Sequence, residues 1–191
     1  MDTYLGFRVT NPYRSRSRKE YDPTRGHTGV DLGARLGSDL TFPIPFKVLT
    51  LREQPQMGKV LYGQDVEGNI LVFAHLSEFL VKAGDSVKAG SVFARSGNTG
   101  SVTSGPHLHF EVLAAQPEAG GEVMRRTELV YKGYNIDPLA YLKKVTVPPH
   151  WSDKAMDWAQ QRGLIQEKRS PTQAVTWGEL VEVLYKWEGG R

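Results

Sequence analysis

The sequence contains no cysteine among its 191 residues. Disulfide bonds and thiolate metal sites are therefore excluded, and any metal ion must be held by histidine, aspartate or glutamate. No stretch approaches the roughly 20 apolar residues of a membrane-spanning helix. Residues 1–20 are polar and basic and lack the apolar segment of a signal peptide. We therefore expect no membrane insertion and no export signal within the chain.

An excess of charge of one sign is also missing. The 24 lysines and arginines outnumber the 21 aspartates and glutamates only slightly, and the formal net charge is +3. This bias is compatible with an anionic polymer as partner, but it is too weak to indicate nucleic-acid binding. Glycine and proline are plentiful, with 20 and 11 residues. Their number favours a turn-rich, mostly β architecture over a helical bundle.

Residues 28–114 alternate between β-rich runs and turns, and Asp137-Pro138 fits the start of a helix that closes this part of the chain. Two turns, at 82–85 and 88–91, are expected to flank a short strand. We predict a mainly β fold, with a compact antiparallel β-sheet domain over residues 1–144. The main strands are predicted at 46–51, 59–62, 70–74 and 107–112.

Composition changes after a predicted linker at 145–149. All four tryptophans lie beyond it, at positions 151, 158, 177 and 187. Ser152 can cap one helix, and residues 176–179 have the spacing of a capping box before an apolar stripe of helical period. We predict that residues 150–191 form a small C-terminal α-helical module.

Four of the five histidines fall into three short clusters that could carry chemistry. The first cluster pairs His27 with Asp31 on a glycine-rich segment that we expect to be extended. Imidazole nitrogen and carboxylate oxygen are both good zinc ligands, at about 2.0–2.2 Å. The spacing alone is a weak signal and favours a surface histidine and aspartate.

The second cluster places His107, His109 and Glu111 on one face of a predicted strand, because successive side chains alternate. Two such imidazoles can share one metal ion, or one can bind the metal while the other contacts the substrate. An exposed polar strand face is the alternative. The third cluster is His75 alone, at the end of an apolar strand, where a histidine usually has a structural role.

Taken together, RGHTGVDLGA, FAHLSEFLVKAGDSVKAGSVFARSGNTG and SGPHLHFEV resemble the lysostaphin-type zinc peptidases of bacterial peptidoglycan. The resemblance covers roughly residues 6–142. It implies a compact antiparallel β domain with the metal at the floor of a groove. It also implies one zinc ion per chain, held by His27, Asp31 and His109. Three protein ligands leave a fourth zinc position open, as is typical of a catalytic site.

The resemblance further implies that His75 and His107 are the catalytic pair. We assign His107 mainly to taking the proton of the attacking water and His75 to donating a proton, an order that the sequence leaves open. Tyr21 is the candidate for the tyrosine that stabilises the tetrahedral intermediate in some relatives, with a packing role as the alternative. Glu111 is interpreted as a residue that orients a ligand, or else as a surface carboxylate.

Residues 150–191 resemble one copy of an S-layer-homology-like module, so a cell-wall polymer is a possible second partner. The leading hypothesis is a zinc endopeptidase that cuts peptide cross-links of peptidoglycan. It would be a monomeric phage endolysin, made in the host cytoplasm and active at the wall after release. One alternative is a wall peptidase of a phage tail or of sporulation. Another is a non-catalytic wall-binding or activator protein on the same fold.

Overall fold

In a computed structural model of the protein, residues 3–17, 26–115 and 134–146 are described. The chain divides into two units, Met1–Lys143 and Lys144–Arg191. The predicted linker, apart from residues 145–146, and the predicted helical module at 150–191 lie outside the described residues and stay predictions. No helix in the described ranges is long and apolar enough to cross a membrane.

The described residues form twelve β-strands and one α-helix, and every described strand pair is antiparallel. This confirms the predicted mainly β, antiparallel fold. The elements are β1 (Thr3–Tyr4), β2 (Phe7–Asn11), β3 (Val30–Leu32), β4 (Asp39–Thr41), β5 (Phe46–Gln54), β6 (Gly58–Gln64), β7 (Ile70–Leu76), β8 (Glu78–Phe79), β9 (Ser86–Val87), β10 (Val92–Arg95), β11 (Leu108–Leu113), β12 (Asn135–Ile136) and α1 (Pro138–Thr146).

Two sheets organise the domain. The larger sheet has nine strands in the order β1-β2-β3-β11-β7-β6-β5-β9, with β12 also paired to β11. The smaller sheet has the order β4-β10-β8. Strands β3, β11 and β7 are consecutive neighbours near the centre of the larger sheet, so residues far apart in the chain lie side by side there.

Most of the longer elements lie where the sequence predicts them. Strands β5, β6 and β7 cover three of the four predicted runs, and β11 covers the fourth except for its first residue, His107. Strand β9 lies between the two predicted turns. Helix α1 begins at Pro138, and the side chain of Asp137 accepts a hydrogen bond from the backbone N–H of Leu139 at 2.9 Å. Asp137 therefore acts as the N-cap, which satisfies a donor that the first turn leaves without an intrahelical partner.

The core between the sheets is built from phenylalanine. Phe42 and Phe93 extend from the smaller sheet and its flank, and Phe46, Phe73 and Phe110 from the larger one. Neighbouring rings have centroids 4.8–5.9 Å apart, several in edge-on contact. Because side chains alternate along a strand, burying Phe110 in this cluster turns His109 and Glu111 to the opposite face of β11.

Candidate metal centre

Three predicted metal ligands lie together at the junction of β3 and β11. Asp31 and His109 are directly opposite each other in the register of these strands, and His27 lies three residues before the start of β3. The Oδ1 atom of Asp31 lies 2.9 Å from His109 Nδ1 and 3.1 Å from His27 Nε2. The two ring nitrogens are 3.0 Å apart. All three side chains are buried, so the alternative of a surface histidine and aspartate is wrong.

This trio fits a tetrahedral zinc ion. Ligands about 2.0–2.1 Å from zinc in a tetrahedron lie about 3.3 Å from one another. The observed separations of 2.9–3.1 Å differ from this value by only a few tenths of an ångström. Each group contributes one atom, and these atoms lie within 4.8 Å of one another.

The outer nitrogens of the two ligand histidines are also satisfied. His27 Nδ1 lies 3.1 Å from the carbonyl oxygen of Pro12, and His109 Nε2 lies 2.9 Å from Glu111 Oε1. A metal-bound histidine almost always donates its other N–H to a carbonyl or carboxylate, which fixes the tautomer. These bonds leave His27 Nε2 and His109 Nδ1 to face the common point, as metal binding requires.

Buried charge is balanced within this centre. Burial by itself would raise the pKa of the Asp31 carboxyl, but hydrogen bonds from His109 and His27 outweigh it and hold the pKa well below its usual range. Burial would likewise lower the pKa of His109, but the carboxylates of Asp31 and Glu111 raise it to about 9. Two buried carboxylates thus converge on one imidazole and favour positive charge at this position.

Glu111 is fully buried, so the interpretation as a surface carboxylate is wrong. Besides its contact with His109, its Oε1 atom accepts a hydrogen bond from the hydroxyl of Thr28. Thr28 stands between the two ligands of the first cluster. Glu111 therefore links the ligand on β11 to the turn that carries His27, as expected of a residue that orients a ligand.

Asn11 is a site residue that sequence reasoning missed. It ends β2, is buried, and its Nδ2 atom lies 3.4 Å from Asp31 Oδ2. In the sequence, Asn11-Pro12 has the composition of a turn. The available signal was the position of a polar residue just before a proline, and it does not show where the side chain points.

His75 owes its position to an irregularity between β6 and β7. Lys59 pairs with Leu76 and Leu61 with Phe73, so two residues of β7 oppose one residue of β6. His75 lies in this β-bulge with φ of +60°, a conformation uncommon for residues other than glycine. Its Nδ1 atom lies 2.8 Å from the carbonyl oxygen of Thr99. Burial lowers the pKa of His75 to about 4, so the ring is neutral at neutral pH.

His107 precedes β11 and forms an isolated bridge with Gly97. Its ring centroid is 4.7 Å from that of His75. His107 Nδ1 lies 2.8 Å from the carbonyl oxygen of Gly105, and Nε2 lies 3.6 Å from Asp31 Oδ1. Since His107 is buried like His109 and Glu111, the alternative of an exposed polar strand face is wrong. Tyr21, the remaining candidate of the sequence analysis, lies outside the described residues.

An antiparallel β domain with a buried His-Asp-His centre beside a second pair of histidines has the architecture of a metallopeptidase. Residues 25–123 match the model of peptidase family M23, and this span includes all five of these residues. The chain belongs to peptidase family M23.

Two curated relatives are enzymes by name. The peptidoglycan DD-endopeptidase ShyB of Vibrio cholerae is 39% identical over 90 residues, which cover 46% of this chain and 20% of that protein. The glycyl-glycine endopeptidase ALE-1 of Staphylococcus capitis is 34% identical over 93 residues, which cover 44% of this chain and 24% of that protein. The similarity therefore spans only about a fifth to a quarter of the length of these relatives.

Solved structures agree with the fold. The structure of LytU is 29% identical, with a TM-score of 0.56, and the match covers 75% of this chain and 90% of that one. The catalytic domain of lysostaphin from Staphylococcus simulans has a TM-score of 0.58 at 24% identity, over 72% of this chain and 92% of that one. The second match supports the fold alone.

Proposed function

We propose that the protein is a zinc-dependent endopeptidase that hydrolyses peptide cross-links of bacterial peptidoglycan. One observation carries the proposal. His27, Asp31 and His109 direct one ligand atom each toward a common point, and separate hydrogen bonds occupy the outer nitrogens of both histidines. The names of ShyB and ALE-1, two relatives with endopeptidase activity, support the choice of substrate class.

In the proposed enzyme the residues form two groups, one that holds the metal ion and a proton-moving group. His27, Asp31 and His109 would hold zinc, and Glu111 would orient His109 from behind. When bound, zinc supplies Lewis-acid polarisation of the scissile carbonyl and lowers the pKa of the attacking water toward about 7.

His75 and His107 form the proton-moving group. Each ring donates its Nδ1–H to a backbone carbonyl, so Nε2 is the nitrogen that accepts or releases a proton. A neutral ring accepts the proton of the attacking water, and a protonated ring delivers one to the leaving amine. With ring centroids 4.7 Å apart, both histidines are close enough to serve one scissile bond.

Metal analysis with matched histidine variants tests the zinc site. The purified protein should contain one zinc per chain, and His109→Ala should lose it. His150→Ala is the matched control, because His150 is the one histidine outside the three clusters. Full stoichiometric zinc in His109→Ala would rule out the assignment.

Mass spectrometry of muropeptides released from purified sacculi tests the reaction. The zinc-loaded protein should release cross-link cleavage products, a chelator should stop the release, and added zinc should restore it. Sacculi whose muropeptide pattern stays unchanged with the zinc-loaded protein would refute the proposed activity. Delivery as a phage endolysin and a wall-polymer ligand for residues 150–191 rest on the sequence alone and stay predictions.

A further inference from the structure

The β-bulge that positions His75 leaves part of the hydrogen-bond ladder between β6 and β7 open. Ala74 and His75 together oppose Val60, so the regular alternation of backbone bonds is interrupted at this point. Buried backbone donors and acceptors need other partners when a ladder is interrupted. The backbone N–H of His75 bonds to the carbonyl oxygen of Met57 at 3.0 Å. Partners for Lys59 and Leu76, on the two strands beside the bulge, come from one residue, Thr99, in the loop that follows β10.

The hydroxyl group of Thr99 bridges the two strands at the bulge. Its Oγ1 atom accepts a hydrogen bond from the backbone N–H of Lys59 at 2.9 Å and donates one to the carbonyl oxygen of Leu76 at 2.8 Å. The same residue's backbone carbonyl accepts the bond from His75 Nδ1 at 2.8 Å. Thr99 thus contacts the ring of His75. It also contacts the two strand ends that flank the bulge and define the backbone conformation of His75.

The loop that carries Thr99 packs closely against the backbone of β6 and β7. A Cβ atom built on Gly58 would lie 2.2 Å from the hydroxyl oxygen of Thr99, and one on Gly97 would lie 2.5 Å from the carbonyl oxygen of His75. Only glycine permits so close an approach. These two close approaches therefore fix the position of Thr99 relative to His75.

We propose that Thr99 is a positioning residue for His75: its hydroxyl bridge maintains the bulge, and its carbonyl selects the tautomer in which Nε2 faces the metal centre. The inference rests on the proposed function for its catalytic consequence. The geometric part, a fixed tautomer of His75, is independent of that function.

Three variants of the full chain separate positioning from general stability. Thr99→Val keeps the shape of the side chain but removes both hydroxyl bonds, and Thr99→Ser keeps the hydroxyl. Thr50→Val on β5 is the matched control, because it makes the same chemical change away from the centre. Each is compared with the wild type by kcat and KM on soluble cross-linked muropeptides, by zinc content, and by ¹⁵N NMR of the imidazole rings.

We expect Thr99→Val to lower kcat on the order of 10–100-fold, since small misplacement of a reacting group has effects of this size. KM and zinc content should stay unchanged, and the His75 ring should lose its single Nδ1–H tautomer. Thr99→Ser should restore both kcat and the tautomer, and Thr50→Val should behave as wild type. If Thr99→Val does not fold, Thr99→Ala provides the same comparison.

The proposal is overturned if the hydroxyl-free variant keeps the wild-type tautomer and kcat, or if Thr99→Ser is impaired equally. A wild-type protein that cleaves no cross-link refutes the proposed function instead. In that case the NMR comparison still decides whether Thr99 positions His75.

Discussion

Gly29→Ala is the change that most directly tests how closely the ligand-bearing segments must approach each other. Gly29 lies between His27 and Asp31, and a Cβ atom at this position would lie 2.4 Å from the backbone oxygen of Phe110 and 2.9 Å from His109 Nε2. Ordinary van der Waals contact begins at 3.4 Å, so the shorter of these contacts falls 1.0 Å short. Because the first obstacle is strand backbone, the His27–Asp31 segment must move away from β11.

A movement of this size exceeds what a zinc site tolerates, since ligand distances must hold within about 0.2 Å. We expect zinc affinity to fall at least about tenfold, equivalent to about 1.4 kcal/mol. Overpacking of a buried position costs about 1–3 kcal/mol of unfolding free energy. For a domain of this size each kcal/mol lowers the melting temperature by about 2–4 °C. The expected drop is therefore about 2–12 °C.

Two measurements check this prediction. Thermal unfolding of the zinc-free protein reports the packing cost, and competition with a chelator of known affinity reports zinc binding. Gly105→Ala is the matched control, because a Cβ atom there meets nothing within 4 Å. Should Gly29→Ala match the wild type in both measurements, close backbone approach would not be what holds the ligands in place.

Three further substitutions have defined outcomes. Glu111→Gln should raise the zinc dissociation constant about 10–100-fold, because it removes the carboxylate that orients the His109 ring and favours positive charge on it. His75→Ala and His107→Ala should each retain one zinc while losing about 10²–10⁴-fold in rate, as expected for removal of an acid–base group. Tyr141→Phe should lower the unfolding free energy by about 1.5–3 kcal/mol, because it deletes the 2.7 Å bond from the tyrosine hydroxyl to the buried Asp65 carboxylate.

Each of these predictions has an outcome that would contradict it, and two of them have a matched control variant. Glu53→Gln changes an exposed carboxylate on β5 and should leave zinc affinity unchanged. Zinc affinity that is equal in Glu111→Gln and Glu53→Gln would contradict the orienting role. Near-normal turnover in either histidine variant would mean that its role is misassigned. Tyr4→Phe on β1 should leave the melting temperature unchanged, and an equal effect at both tyrosines would exclude a specific Asp65 contact.

The longer elements of the fold were predictable because their own residues determine them. Residues 70–74 of strand β7 are continuously apolar, and the start of α1 has its own capping aspartate. Strands β1 and β2 were missed because they are short and separated by a turn, and Asn11 is the one buried residue in them. Their conformation depends on pairing, of β2 with β3 and of β1 with β2, and no local pattern predicts these pairs.

The candidate site was predictable only in pieces. The spacing of His27 and Asp31 and of His107 and His109 places each pair on one short segment, but neither spacing shows that the segments meet. The register that sets Asp31 opposite His109 is a contact across 78 residues of sequence. The resemblance to a known family supplied that connection, and the sheet order shows its physical basis.

The orientation of the histidine rings is the part that sequence could not show. Three of the four rings at the centre, those of His27, His75 and His107, have their Nδ1 atoms at backbone carbonyls, and every residue type provides such a carbonyl. The ring of His109 is oriented by a carboxylate, and there the sequence contained a signal, in the form of Glu111. Because those carbonyls belong to loops and strand ends, loop conformation determines which nitrogen of each ring faces the centre. Substitutions that shift these loops should therefore impair the centre even when every ligand and acid–base residue is retained.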